Sequence, residues 1–173
     1  MNYFELFNLN QEFAINKNKL TKNFYFLQKK YHPDLFILDT INNQKKALKK
    51  SMIINQGYHI LKNPQDRAKY LLQLNKINIS HKNYCLTDKI FFVKYYTLCE
   101  DLHNLKLNHA TRETLYTFKK NIVKYKIKKY YSILTKYFNQ QEWINASLIV
   151  QKLEYFLKLK KQVNEIIDTT EIT

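Results

Sequence analysis

The sequence predicts an all-α fold, with an N-terminal antiparallel helix hairpin flanked by short helices and a C-terminal three-helix bundle. Three observations lead there. The 173 residues include one glycine and two prolines, so tight hairpin turns, Gly-rich phosphate loops and dinucleotide fingerprints have almost nothing to be built from. Apolar residues recur at offsets of three and four, the period of a helix. Both prolines fall between such periodic runs, where a helix has to stop because proline lacks an N–H and pushes the residue before it out of the helical region. With 45% hydrophobic residues the chain is able to bury a core, as one domain or as two small ones.

The first element begins at Asn2-Tyr3-Phe4-Glu5, where an Asn three residues ahead of a Glu closes a helix start with a cap and a return hydrogen bond; a short helix through Phe7 follows. After a polar connection over residues 9–16, Leu20, Phe24, Leu27 and Tyr31 mark the core face of a helix whose other side carries Lys19, Lys22, Lys29 and Lys30. Lys29 and Lys30 occupy the last turn, where the negative end of the helix dipole favours cations. Pro33 then forces a break, leaving His32-Pro33-Asp34 at an exposed tip. A second long helix starts near Ile41 and buries Ala47, Ser51, Ile54, Tyr58 and Leu61, its small residues letting it pack closely on the aromatics of the first. Asn63-Pro64 ends it, and residues 66–72 form a short fourth helix.

Residues 1–75 thus read as one domain, 76–87 as a polar connector and 88–173 as a second domain. Three apolar stripes are expected in the latter: Ile90, Phe91, Leu98, Leu102 and Leu105; Leu115, Phe118, Ile122 and Tyr125; and Ala146, Ile149, Leu153, Phe156, Val163 and Ile167. Short loops around Asn108 and Asn139 imply antiparallel packing. Lys160 interrupts the third stripe and is expected to snorkel.

An isolated His-Pro-Asp is an ordinary interhelical turn. At the end of a basic helix and ahead of a second long one, however, it resembles the J-domain of co-chaperones that stimulate DnaK-type ATPases. The resemblance narrows at Tyr3-Phe4-Glu5-Leu6-Phe7, Ile54-Asn55-Gln56-Gly57-Tyr58 and Arg67-Ala68-Lys69-Tyr70-Leu71-Leu72. Together these are similar to HscB, the J-protein of iron–sulfur cluster assembly, over nearly the whole chain. The resemblance implies a non-enzymatic co-chaperone that stimulates an HscA/DnaK-type ATPase chaperone and delivers an IscU-type scaffold protein to it. It assigns chaperone binding to His32, Pro33 and Asp34 with Lys22, Lys29 and Lys30; Leu35 stands where many J-domains have a lysine. Scaffold binding is assigned to Phe92, Val93, Tyr96 and Glu100, with Tyr155 from the last helix. Periodicity alone leaves open whether Phe92 and Tyr96 widen the core instead. Thr97 and Asn104 stand where family members commonly have acids.

The formal charge of +15 raises nucleic acid or an anionic membrane as partners. Its distribution argues otherwise, because residues 1–75 hold 12 basic and 5 acidic side chains and residues 76–173 hold 17 and 9, so no basic arm stands apart. Residues 119–136 carry seven lysines and no acid, but without arginines or base-reading aromatics in a groove-sized cluster they read as a solvated face. A nucleic-acid-binding helical protein is the rival reading. A J-protein for general unfolded clients is another, against which the absence of Gly/Phe-rich linkers and zinc modules counts. Cys85 and Cys99 have neither CxxC nor metal-ligand spacing, Glu100 and Asp101 point apart, and His59, His81, His103 and His109 are not paired at i,i+4. No catalytic site, metal or cofactor is therefore expected. With no apolar stretch near the ~18 residues that span a bilayer and no signal peptide, the chain is expected to be soluble and cytoplasmic.

Overall fold

The computed structural model describes residues 2–78 and 88–169. Among them the secondary structure is helical, with no strand, and the chain divides into two compact units, Met1–Asn75 and Lys76–Thr173. Most of the stretch expected to be a connector, with Cys85 and His81, lies outside the described residues.

In the first unit α1 (Tyr3–Leu6), α2 (Lys17–Tyr31), α3 (Ile41–Lys62) and α4 (Pro64–Leu74) follow the expected order, with a 3₁₀ turn at Pro33–Phe36. Side-chain caps set the helix starts. Asn2 Oδ1 accepts from the Glu5 N–H at 3.0 Å while the Glu5 carboxylate accepts from the Asn2 N–H at 3.1 Å, and Asn16 accepts from the Lys19 N–H. Helices α2 and α3 form the hairpin, and Leu20, Ala47, Ser51, Ile54, Tyr58 and Leu61 are all buried in it. The Phe24 ring stacks on that of Tyr58 with centroids 3.9 Å apart. Arg67, buried at the start of α4, donates to the Leu61 carbonyl at 2.5 Å and lies 5.2 Å from the Phe13 ring centroid, tying the end of α3 to α4 and the 9–16 connection.

The single glycine is a close-packing device. A Cβ on Gly57 would stand 2.7 Å from Tyr3 Cδ1 and 3.1 Å from Phe7 Cε2, so α1 reaches α3 only because no side chain intervenes. Gly57→Ala is therefore expected to lower the melting temperature, at a cost of about 1–3 kcal/mol from overpacking. Helix propensity by itself predicts the opposite, a gain of ~1 kcal/mol, so the sign of the shift in thermal unfolding distinguishes the two effects.

In the second unit α5 (Lys89–Leu107) is followed by a continuous helical rod of α6 (Arg112–Asn121), a π turn (Ile122–Ile127) and α7 (Lys128–Asn139), and then by α8 (Trp143–Thr169). Helix α8 packs against all the others and supplies more of the core than any other helix, with Ala146, Val150, Leu153, Phe156, Leu159 and Val163 buried. Two expected core positions are corrected. Tyr125 is exposed because the π turn widens the ring to i→i+5, so the residue that follows Ile122 into the core is Ile127. Ile90 is also exposed; it lies 100° around the helix from Phe91, off the line that Phe91, Leu98 and Leu102 form.

Asp88 anchors α5 twice. Its carboxylate accepts from the Phe91 N–H at 2.9 Å as a helix cap and from Lys152 Nζ on α8 at 2.5 Å. The Lys152 ammonium, followed by the Phe91 N–H, holds the Asp88 carboxyl below its ordinary range. A lowered folded-state pKa means that the pair stabilises the fold above the unfolded value, ~4, and that this contribution disappears as acid protonates the folded carboxylate. Asp88→Asn keeps a capping oxygen and removes the charge. It is expected to be less stable by up to about 1 kcal/mol at pH 7, with the difference from wild type shrinking below about pH 4 in parallel thermal melts.

Candidate functional site

Helix α2 stops at Tyr31 because Pro33 turns His32 into extended backbone, at φ −64° and ψ 130°. Pro33 then opens the 3₁₀ turn, and the Asp34 N–H donates to His32 Nδ1 at 3.3 Å. That bond needs the lone pair of a neutral ring. Nδ1 is also 3.4 Å from Asp34 Oδ2, a pair that carries charge on both sides only when the imidazole is protonated. The Asp34 side chain is 75% exposed and that of His32 52% exposed. A short turn thus holds a carboxylate out to solvent with little freedom in the backbone beneath it.

Of the three lysines, Lys22 and Lys29 are seven apart on one outward face of α2. Lys30 lies 100° away, with its ammonium 5.5 Å from the Tyr31 ring centroid and Lys50 over the same ring at 4.2 Å. A hydrogen bond from Lys50, with further help from Lys30, holds the Tyr31 phenol below its ordinary range. Sequence reasoning missed Tyr25 and Phe26, each 66% exposed, which fill the positions between Lys22 and Lys29. The signal was their place off the Leu20, Phe24, Leu27 and Tyr31 stripe.

In the second unit Phe92, Val93, Tyr96 and Glu100 fall within one arc of α5, and Tyr155 of α8 meets Phe92 among them. The Phe92 and Tyr155 rings stand perpendicular with centroids 5.5 Å apart, and Tyr96 is 6.1 Å from Phe92. Phe91 and Phe156 lie beneath, buried and 5.8 Å apart. Phe92 and Tyr155 are half-buried, whereas Val93 and Tyr96 are about two-thirds exposed. The arrangement is a graded aromatic surface, anchored in the core and open at its edge. Thr97 spends its hydroxyl proton on the Val93 carbonyl at 3.0 Å, and burial with Cys99 alongside pushes the Tyr95 phenol well up. Both surfaces have the chemistry of protein recognition. Among the described residues no cluster of three or more His, Cys, Asp or Glu side chains is placed to hold a metal, and no helix is long and apolar enough to cross a membrane.

The DnaJ domain family matches residues 2–70. A co-chaperone protein HscB from Buchnera aphidicola is 38% identical over 92% of this chain and 91% of its own length, and one from Proteus mirabilis is 32% identical over 96% and 95%. Among solved structures, chaperone HscB from Vibrio cholerae superposes with a TM-score of 0.88 at 30% identity, covering 98% of this chain and 99% of the other. The Jac1 co-chaperone of Saccharomyces cerevisiae, at 20% identity and a TM-score of 0.74 over 95% and 92%, shares the fold.

Proposed function

Because the chain belongs to the HscB family of J-domain co-chaperones, we propose that it stimulates an HscA/DnaK-type ATPase and brings it an IscU-type scaffold protein during iron–sulfur cluster assembly, in the cytoplasm. The observation that carries the reading is the exposed Asp34 carboxylate at the His32-Pro33 turn, which follows directly on the helix that carries Lys22 and Lys29. In this reading Asp34 engages a cation at the chaperone's interdomain interface and His32 and Pro33 keep the loop in shape. Lys22, Lys29 and Lys30 raise the encounter rate with an acidic patch, an effect that salt weakens. Phe92, Val93, Tyr96, Glu100 and Tyr155 seat the scaffold, chiefly through apolar contact. Hydrolysis of the chaperone's ATP then closes it on the scaffold, and the chain itself performs no chemistry.

The reading is tested by adding the purified chain to a DnaK-type chaperone preloaded with ATP and following a single turnover. Acceleration that saturates with chain concentration supports it. An unchanged turnover, with the chaperone competent towards another J-protein, contradicts it.

A further inference from the structure

Helices α5 and α6 each pack on α8, but the seam between them is open. Two clefts run along it, of about 640 and 420 Å³, and they share Asp101, Phe118 and Asn121, so they form one groove. Leu98 and Leu105 of α5 and Phe118 and Ile122 of the opposite rod make its apolar floor. Asp101 and Glu113 are exposed in its walls, and Tyr125 and Lys126 close the far end. The π turn puts them there. A regular α-helix would carry position 125 towards the core with Ile122, whereas the wider turn leaves Tyr125 on the groove, 58% exposed. Single π turns inside α-helices are frequent at functional sites.

Charge and shape define the occupant. The chain carries 29 Lys and Arg against 14 Asp and Glu, yet among the described residues neither the Asp101 nor the Glu113 carboxylate has an ion-pair or hydrogen-bond partner. Lys126 is the one cation among the described residues that line the groove, and it stands at the end away from Glu113. An apolar floor between unpaired carboxylates complements a ligand with an apolar anchor and flanking cations. From Leu98 to Leu105 the groove follows ~10 Å of helix and stays open along its length, the shape that takes an amphipathic helix. A second copy would set a net +15 against a net +15. On α5 the groove residues lie about 150° around from the arc of Phe92, Val93, Tyr96 and Glu100, so the groove and the aromatic surface can be filled at once. We propose that the groove between α5 and α6 is a separate protein-binding site for a basic amphipathic segment of a partner. The segment's apolar side chains rest on Leu98, Phe118 and Ile122, and its Lys or Arg side chains meet Asp101 and Glu113. The site is distinct from those assigned above to the chaperone and the scaffold, and it does not depend on that reading.

The test selects displayed random peptides of about twelve residues, ~18 Å long as a helix, on the full wild-type chain. The enriched peptides are then titrated by fluorescence anisotropy against wild type, the double variant Asp101→Asn, Glu113→Gln and the control Glu165→Gln. All three substitutions are at exposed positions and nearly isosteric, and circular dichroism and thermal melting check each fold. Glu165→Gln removes a carboxylate outside the groove. The expected result is a set of peptides in which Lys or Arg flank apolar residues, bound about tenfold or more weakly by the double variant and as tightly by the control. The net charge of the chain by itself draws acidic peptides, so an acidic consensus overturns the proposal, as does a selection that enriches none. Equal affinity of wild type and the double variant, or an equal loss in the control, also overturns it. Displacement of the peptides by free argininamide as effective as by unlabelled peptide assigns the groove to a small organic cation. Sedimentation showing a wild-type dimer that the double variant lacks assigns it to self-association. Either outcome overturns the proposal.

Discussion

Asp34→Asn is expected to abolish stimulation of the DnaK-type ATPase while leaving the fold unchanged. The carboxylate is largely in solvent, and the turn keeps the bond from the Asp34 backbone N–H to His32 Nδ1 when the side chain is changed. Exposed substitutions of this kind usually shift stability by no more than ~0.5 kcal/mol. At an interface the same change removes one partner of a charge pair, which costs ~2–5 kcal/mol, enough to lose stimulation by about thirtyfold at the low end and by thousands at the high end. Circular dichroism and single-turnover hydrolysis measure the two effects separately. A folded variant that still stimulates fully assigns Asp34 no part in the contact.

The second large effect is expected on the other surface. Phe92→Ala combined with Tyr96→Ala should weaken scaffold binding by several kcal/mol and leave stimulation in the absence of scaffold nearly unchanged. Aromatic anchors at the centre of an interface commonly cost ~2 kcal/mol or more each when truncated. Removal of a core aromatic instead costs ~3–5 kcal/mol of fold stability. The structure separates the pair: Tyr96 is 64% exposed, whereas Phe92 is half-buried against Tyr155. Tyr96→Ala alone should therefore melt like wild type, and any loss of melting temperature in the double variant should come from Phe92. Calorimetric titration of the scaffold with parallel melts gives both quantities, and a large loss of stability with unaltered affinity assigns the two residues to the core.

Much of the first unit was legible because its helices are uninterrupted. A regular α-helix repeats every 3.6 residues, so the line Ala47, Ser51, Ile54, Tyr58 and Leu61 is buried as its spacing required, and Asn2 caps as its spacing to Glu5 required. Where the helix departs from that period the reading failed. The π turn inserts one residue into the register after Ile122, which moves Tyr125 out and Ile127 in, and nothing in the local sequence announces it. Contacts between distant residues were equally hidden: the approach of Tyr3 and Phe7 to Gly57, and the Asp88 bond to Lys152 across 64 positions. At the candidate site, the His-Pro-Asp turn and the α5 aromatics were found from motif and resemblance. Tyr25 and Phe26 were not, since a periodicity that explains one face leaves the remaining apolar residues unassigned.

The central claim is that one chain recruits a scaffold to an ATPase and triggers the ATPase on it. Its most direct measurement is single-turnover hydrolysis by the chaperone with the chain and the scaffold, alone and together, at chain concentrations well below saturation. The account predicts acceleration by the pair greater than the product of their separate effects. That excess should vanish in Asp34→Asn and in the Phe92→Ala, Tyr96→Ala variant alike. Purely multiplicative acceleration, unchanged by the loss of the α5 aromatics, would contradict it.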